Sequence, residues 1–172
     1  MRILAGKLAG RHLAPLGDPR VRPTAEHVRG ALLDMLAPCL AKARVLDLFA
    51  GTGALGLEAL SRGAATCDFV EFRPGSLHAL KANIALLKVK ERTRVFKRDA
   101  VPFAEALAPG SYDLVFADPP YESKVLDRII ERWKKAPYSA VLAVEHARTH
   151  KVPKGSDSRA FVDTTVTVYL AQ

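Results

Sequence analysis

Val45-Leu46-Asp47-Leu48-Phe49-Ala50-Gly51-Thr52-Gly53-Ala54-Leu55-Gly56 reads as an apolar strand that passes a carboxylate and turns through glycines into a helix. The turn has the form G-x-G-x-x-G, and Glu71 follows about 20 residues later at the end of a second apolar run, the spacing of a dinucleotide-binding fingerprint. A nicotinamide cofactor must therefore be weighed. Asp47 argues against it, because a carboxylate close to the first helical turn repels the pyrophosphate that such a turn would otherwise cradle. S-adenosylmethionine has no phosphate, and its α-ammonium can pair with Asp47. Glu71 can then accept from both ribose hydroxyls, and Asp99, ending a third apolar run, from the adenine amine. Asp99 would equally cap a helix opening near Pro102. The three acids close three successive strands, and that concurrence weighs more than any one of them.

From Arg44 onward, apolar β-type runs alternate with amphipathic segments. The strands expected are Arg44–Phe49, Thr66–Glu71, Thr93–Lys97, Tyr112–Ala117, Ala140–Glu145 and Val162–Leu170. Helical stretches lie near Ala54–Ser61, Gly75–Leu87, Pro102–Leu107 and Lys124–Trp133, the last with Val125, Ile129, Ile130 and Trp133 as its buried face. The pattern predicts an α/β fold, a doubly wound and mostly parallel sheet with helices on both faces. The final strand follows a loop with no room for a crossover helix, so it should pair antiparallel, as a hairpin.

In such a sheet the ligand crevice lies where the strand order reverses, between the carboxyl ends of the first and fourth strands. Asp118-Pro119-Pro120-Tyr121 ends the fourth. Two prolines remove two backbone donors and fix φ at both, so the carbonyls and the Asp118 carboxylate form a stiff acceptor cluster beside an aromatic ring. That arrangement suits a planar amino group such as the exocyclic amine of a base. Taken alone, the tetrapeptide also fits a strand-to-helix turn in which Asp118 caps the next helix. Its topological neighbour, the Gly51 turn, favours the amine site.

The first 40 residues differ in character. Arg2–Gly6 and Arg11–Ala14 could be two short strands, and Arg22-Pro23-Thr24 opens a helix reaching Met35 or Leu36, with Thr24 as N-cap and Glu26 in its first turn. Arg2, Lys7, Arg11, Arg20, Arg22 and Arg29 face only Asp18 and Glu26 across residues 1–30, which points to an RNA-facing arm; a solvated surface strand fits the same composition. The whole chain, 172 residues, has the length of one domain, divided into a basic extension over 1–40 and a cofactor-binding core over 41–172. A net charge of +8 favours a polyanionic partner without naming it. Cys39 and Cys67 make no disulfide framework, no apolar run is long enough to span a bilayer, and the five histidines lack ligand spacing. The expectation is a cytoplasmic monomer without metal.

Together Val45 through Gly63, Val70-Glu71, Asp99-Ala100, Asp118 through Tyr121, Arg22-Pro23-Thr24 and Val28-Arg29 resemble the RsmD family of 16S ribosomal RNA guanine-N2 methyltransferases. The resemblance covers essentially the whole chain. It implies a Rossmann-like sheet of the seven-stranded type found in class I methyltransferases that use S-adenosylmethionine, with cofactor binding by Asp47, Phe49, Gly51, Gly53, Glu71, Asp99 and Ala100. It also implies amine positioning by Asp118, Pro119, Pro120 and Tyr121, and ribosomal RNA or the small ribosomal subunit as partner. Two departures stand out: Arg73, where the family usually has an acid, and Val162 in place of a permissive glycine. Competing readings are an amino-methyltransferase acting on DNA adenine or protein glutamine, and a non-catalytic RNA-binding module on the same fold.

Overall fold

The structure, a computed structural model, describes residues 1–18, 23–120 and 124–172. Strands β1 (Arg44–Asp47), β2 (Thr66–Val70), β3 (Thr93–Phe96), β4 (Tyr112–Ala117), β5 (Ser139–Ala147), β6 (Asp157–Ala160) and β7 (Thr164–Leu170) form one sheet in the order β3-β2-β1-β4-β5-β7-β6. The pairs β2–β3, β1–β2, β1–β4 and β4–β5 are parallel, whereas β7 runs antiparallel to both β5 and β6. Helices α1 (Glu26–Met35), α2 (Ala37–Leu40), α3 (Ala54–Ser61), α4 (Pro74–Leu86), α5 (Ala100–Glu105) and α6 (Val125–Lys135) flank it.

Central strands are apolar throughout because both faces are covered. Val45, Leu114 and Phe116 enter a core shared with α1 to α4; Leu46, Val115 and Ala117 point the other way, into a core shared with α5 and α6. The buried face of α6 is Leu126, Ile129, Ile130 and Trp133, so Leu126 takes the place expected of Val125. No helix among the described residues is long and apolar enough to cross a membrane.

Three elements differ from the expectation. Strand β6 has no counterpart in the sequence pattern, since Asp157-Ser158-Arg159-Ala160 is exposed at all four positions and shows no apolar alternation. It occupies the sheet edge, and β7 therefore begins at Thr164, after a turn in which the Phe161 N–H donates to the Thr164 carbonyl and Val162 stands 84% exposed. Helix α1 starts at Glu26 with Ala25 at the N-cap and no side-chain cap, so Thr24 does not cap it. The N-terminal pair of strands reduces to one antiparallel bridge between Arg2 and His12.

That N-terminal segment is fastened to α3 by a buried carboxylate. Glu58 accepts the Leu4 and Ala5 N–H groups at 2.9–3.0 Å and the Arg62 Nε–H at 3.2 Å. Arg29 lies 3.5 Å from Glu58 with both side chains fully buried, and its guanidinium also donates to the Arg2 carbonyl. Burial lowers the Arg29 pKa while Glu58 opposes the shift. Arg29 thus cannot meet an RNA phosphate, which corrects its assignment to the basic arm: its charge is used inside the protein. Glu58→Ala strands this cation and two amides, and urea denaturation should register a loss of about 3–5 kcal/mol. A loss below about 1 kcal/mol would contradict the anchoring role.

Candidate active site

Strand β1 ends on Asp47, which is 1% exposed. Its Oδ2 accepts the Gly56 N–H at 3.2 Å, and its Oδ1 has no hydrogen-bond partner among the described residues. Burial pushes the Asp47 pKa up to about 7, the nearby Glu71 adding to the shift and the Gly56 and, more weakly, Phe49 amides opposing it. A buried carboxyl half short of its donors fits a cationic ligand, and a sulfonium cofactor with an α-ammonium group carries two such charges.

The glycines beside it divide their work. Gly51 adopts φ +55° and a Cβ there would meet nothing within 4 Å, so its face is open to a ligand. Gly53, at φ +83°, faces inward: a Cβ would come within 2.5 Å of Leu80, and at Gly56 within 2.5 Å of Cys67 and Phe69. Gly51 thus leaves its open side to a ligand, while the absence of a side chain at Gly53 and Gly56 lets α3 pack against β2 and α4.

Glu71 follows β2, 4% exposed, and ties the two turns together. It accepts the Gly51 N–H at 3.0 Å, the Phe72 and Arg73 N–H groups at 2.9 Å, and the Arg73 Nε–H at 3.3 Å. Arg73, the departure noted in the sequence, thus pairs with Glu71 directly. Asp99 is the N-cap of α5, accepting the Val101 N–H at 3.2 Å, and lies exposed at a hollow shared with Arg98, Pro102 and Phe103. Phe49 and Ala100 both pack into the core that contains α5 and α6.

Asp118 follows β4 and lines a cavity of about 370 Å³ with Thr24, His27, Pro119, Glu145 and Phe161. Its pKa is raised well above the usual carboxylate range by desolvation and by Glu145 at the end of β5, with Asp47 adding; a hydrogen bond from Thr24 opposes the rise. That bond runs from the Thr24 hydroxyl to Asp118 Oδ2 at 2.7 Å. Tyr121, Arg20 and Arg22 lie outside the described residues.

Of the basic arm, Arg2, Lys7 and Arg11 are exposed, with Arg2 beside Glu26 and Arg11 donating to the Leu86 carbonyl. Thr24, Glu145, Arg73 and Phe161 reach the site although no sequence motif assigns them to it. The His27 ring meets Phe161 edge-on at 5.7 Å, and the Arg159 guanidinium stands 5.6 Å above the same phenyl ring. His146 lies beside β7, its Nε2 3.0 Å from the Thr167 hydroxyl.

A family model described as Conserved hypothetical protein 95 matches residues 1–166. The chain belongs to the RsmD family. Ribosomal RNA small subunit methyltransferase D of Escherichia coli (strain K12) is 40% identical over 131 residues, covering 76% of this chain and 65% of that protein. The protein of the same name from Buchnera aphidicola (subsp. Acyrthosiphon pisum) is 30% identical over 157 residues, covering 88% and 82%. Among solved structures, a hypothetical protein of Thermus thermophilus superposes with a TM-score of 0.84 at 27% identity, covering 99% of both chains.

Asp47 supplies a prediction that needs no ligand. An acid whose folded pKa is about 7 keeps its proton in the native state while the unfolded chain, near 3.9, has lost it. Stability therefore falls as pH rises through that window. Asp47→Asn removes the penalty, and its advantage in urea unfolding should grow by about 2 kcal/mol between about pH 5.5 and 8. A difference independent of pH would show that Asp47 is not held in the protonation state described.

Proposed function

We propose that the protein transfers the methyl group of S-adenosylmethionine to the exocyclic N2 amine of a guanine in small-subunit ribosomal RNA. The observation that carries the reading is the pairing of two desolvated carboxylates, Asp47 at the end of β1 and Asp118 after β4, at the point where the sheet order reverses. One meets a cation and the other an amine. The names of the relatives, small-subunit ribosomal RNA methyltransferases, supply the substrate class.

When bound, S-adenosylmethionine supplies an electrophilic methyl on a positively charged sulfur. Asp47 would pair with its α-ammonium, Glu71 would accept from ribose hydroxyls beside the open Gly51 face, and Asp99 would accept from the adenine amine. On the other side of the crevice, the Asp118 carboxylate and the Pro119 carbonyl accept the two N2 protons. Those bonds would favour a pyramidal nitrogen and offset the positive charge that develops on N2 as its lone pair takes the methyl and the methyl–sulfur bond breaks to leave a neutral thioether; one N2 proton then leaves through Asp118 to solvent. Tyr121 stacks on the base and holds it in line. Because N2 lies inside any base pair, the guanine has to be unpaired or flipped out. Arg2, Lys7 and Arg11 meet phosphates, and the net charge of +8 suits that task.

The test is to incubate the protein with labelled S-adenosylmethionine and small-subunit ribosomal RNA or particles from a strain lacking it, and to identify the nucleoside by mass spectrometry. N2-methylguanosine is expected. Asp118→Ala should abolish its formation while calorimetry finds cofactor affinity nearly unchanged. Label on adenine N6, or none on RNA, would overturn the reading.

A further inference from the structure

We propose that Thr24 is a positioning residue for Asp118: its hydroxyl holds one carboxylate oxygen so that the other is presented, ionised, to the amine. The inference rests on the amine-accepting role given to Asp118 above. Its starting observation is a local rule that the chain breaks. The N-cap of α1, where a Ser or Thr hydroxyl is ordinarily used on the first turn, is Ala25, with no side-chain cap, and the hydroxyl of Thr24 stands one residue too early to serve there. The hydroxyl reaches instead across 94 positions of sequence to Asp118 Oδ2, at 2.7 Å. Broken local rules of this kind cluster at functional sites.

The surroundings of Asp118 explain why the bond is needed. Glu145 from β5 and Asp47 from β1 both act on it with negative charge, and the site is desolvated. His27 from α1, Arg73 beyond β2 and Asp163 in the β6–β7 turn line the same cavity. Among the described residues that act on Asp118, Thr24 is the one that favours its charged form. A hydrogen bond from a hydroxyl to a carboxylate is of the strong, charge-assisted kind. A protonated Asp118 would present a donor to an amine that is itself a donor, and the contact would fail. The Thr24 bond therefore acts on geometry and on ionisation together. It also makes the site depend on the segment before α1, which Glu58 fastens to α3 at Leu4 and Ala5.

The test uses Thr24→Val, which keeps the shape and loses the donor, with Thr24→Ser as the variant that restores it and Thr24→Ala as a second donor-free variant. Turnover on ribosomal RNA is followed from about pH 6 to 9, with S-adenosylmethionine affinity and melting temperature measured alongside. Thr24→Val should lower kcat at about pH 7 by about 10- to 100-fold, as for loss of one hydrogen bond to a charged group. Its acid limb should move to higher pH, so that the deficit shrinks toward pH 9. Cofactor affinity and the KM for RNA should stay within about twofold, and Thr24→Ser should recover most of the rate. Thr24→Ala must show the same displaced limb. Wild-type pH profiles in both donor-free variants, or losses that follow melting temperature and ignore pH, would overturn the proposal. An active Asp118→Ala protein would instead remove the reading beneath it, so the two failures are distinguishable.

Discussion

Parallel pairing of β1 with β4 is the constraint on which the site depends. The register sets Val45 beside Leu114 and Asp47 beside Phe116, so the chain leaves both strands at the same end of the sheet, with Asp118 two residues beyond that last pair. Two carboxylates far apart in sequence are thereby brought into mutual electrostatic reach, and β5, paired to β4 through Ala117 and Val144, adds Glu145. Desolvated carboxylates so close together oppose one another's ionisation. A fold that keeps them gives up stability for a place where positive charge is welcome.

Close packing and side-chain hydrogen bonds to the backbone tie the region around this end together. Gly53 and Gly56 leave no space for a side chain, so α3 lies hard against β2. Glu71 clamps the Gly51 turn to the segment after β2 through three amides. Glu58 holds Leu4 and Ala5, and Thr24 then reaches Asp118 from that same N-terminal region. The N-terminal residues are thus a wall of the site as well as a basic arm.

Much of this was legible in the chain itself. Strands buried on both faces announce themselves as apolar runs, and all five parallel strands begin and end within two residues of where the runs place them. The Asp47 and Asp118 motifs sit where topology brings strand ends together. What escaped had physical causes. An edge strand such as β6 carries no apolar alternation, because neither of its faces is buried. Arg29 looks like any other surface base in sequence, and only the fold shows Glu58 waiting for it. Thr24 has the residue type and place of a helix cap, so its long-range partner could not be read locally.

The central claim is that the buried Asp47 carboxyl is held in reserve for a cation. With a pKa of about 7 it is about half protonated at neutral pH, and a positive charge placed beside it should expel the proton. Calorimetric titration of S-adenosylmethionine at pH 7, repeated in buffers of different ionisation enthalpy, counts protons exchanged on binding. The account predicts that the native protein releases about half a proton more than Asp47→Asn does. Equal proton counts for the two would contradict it.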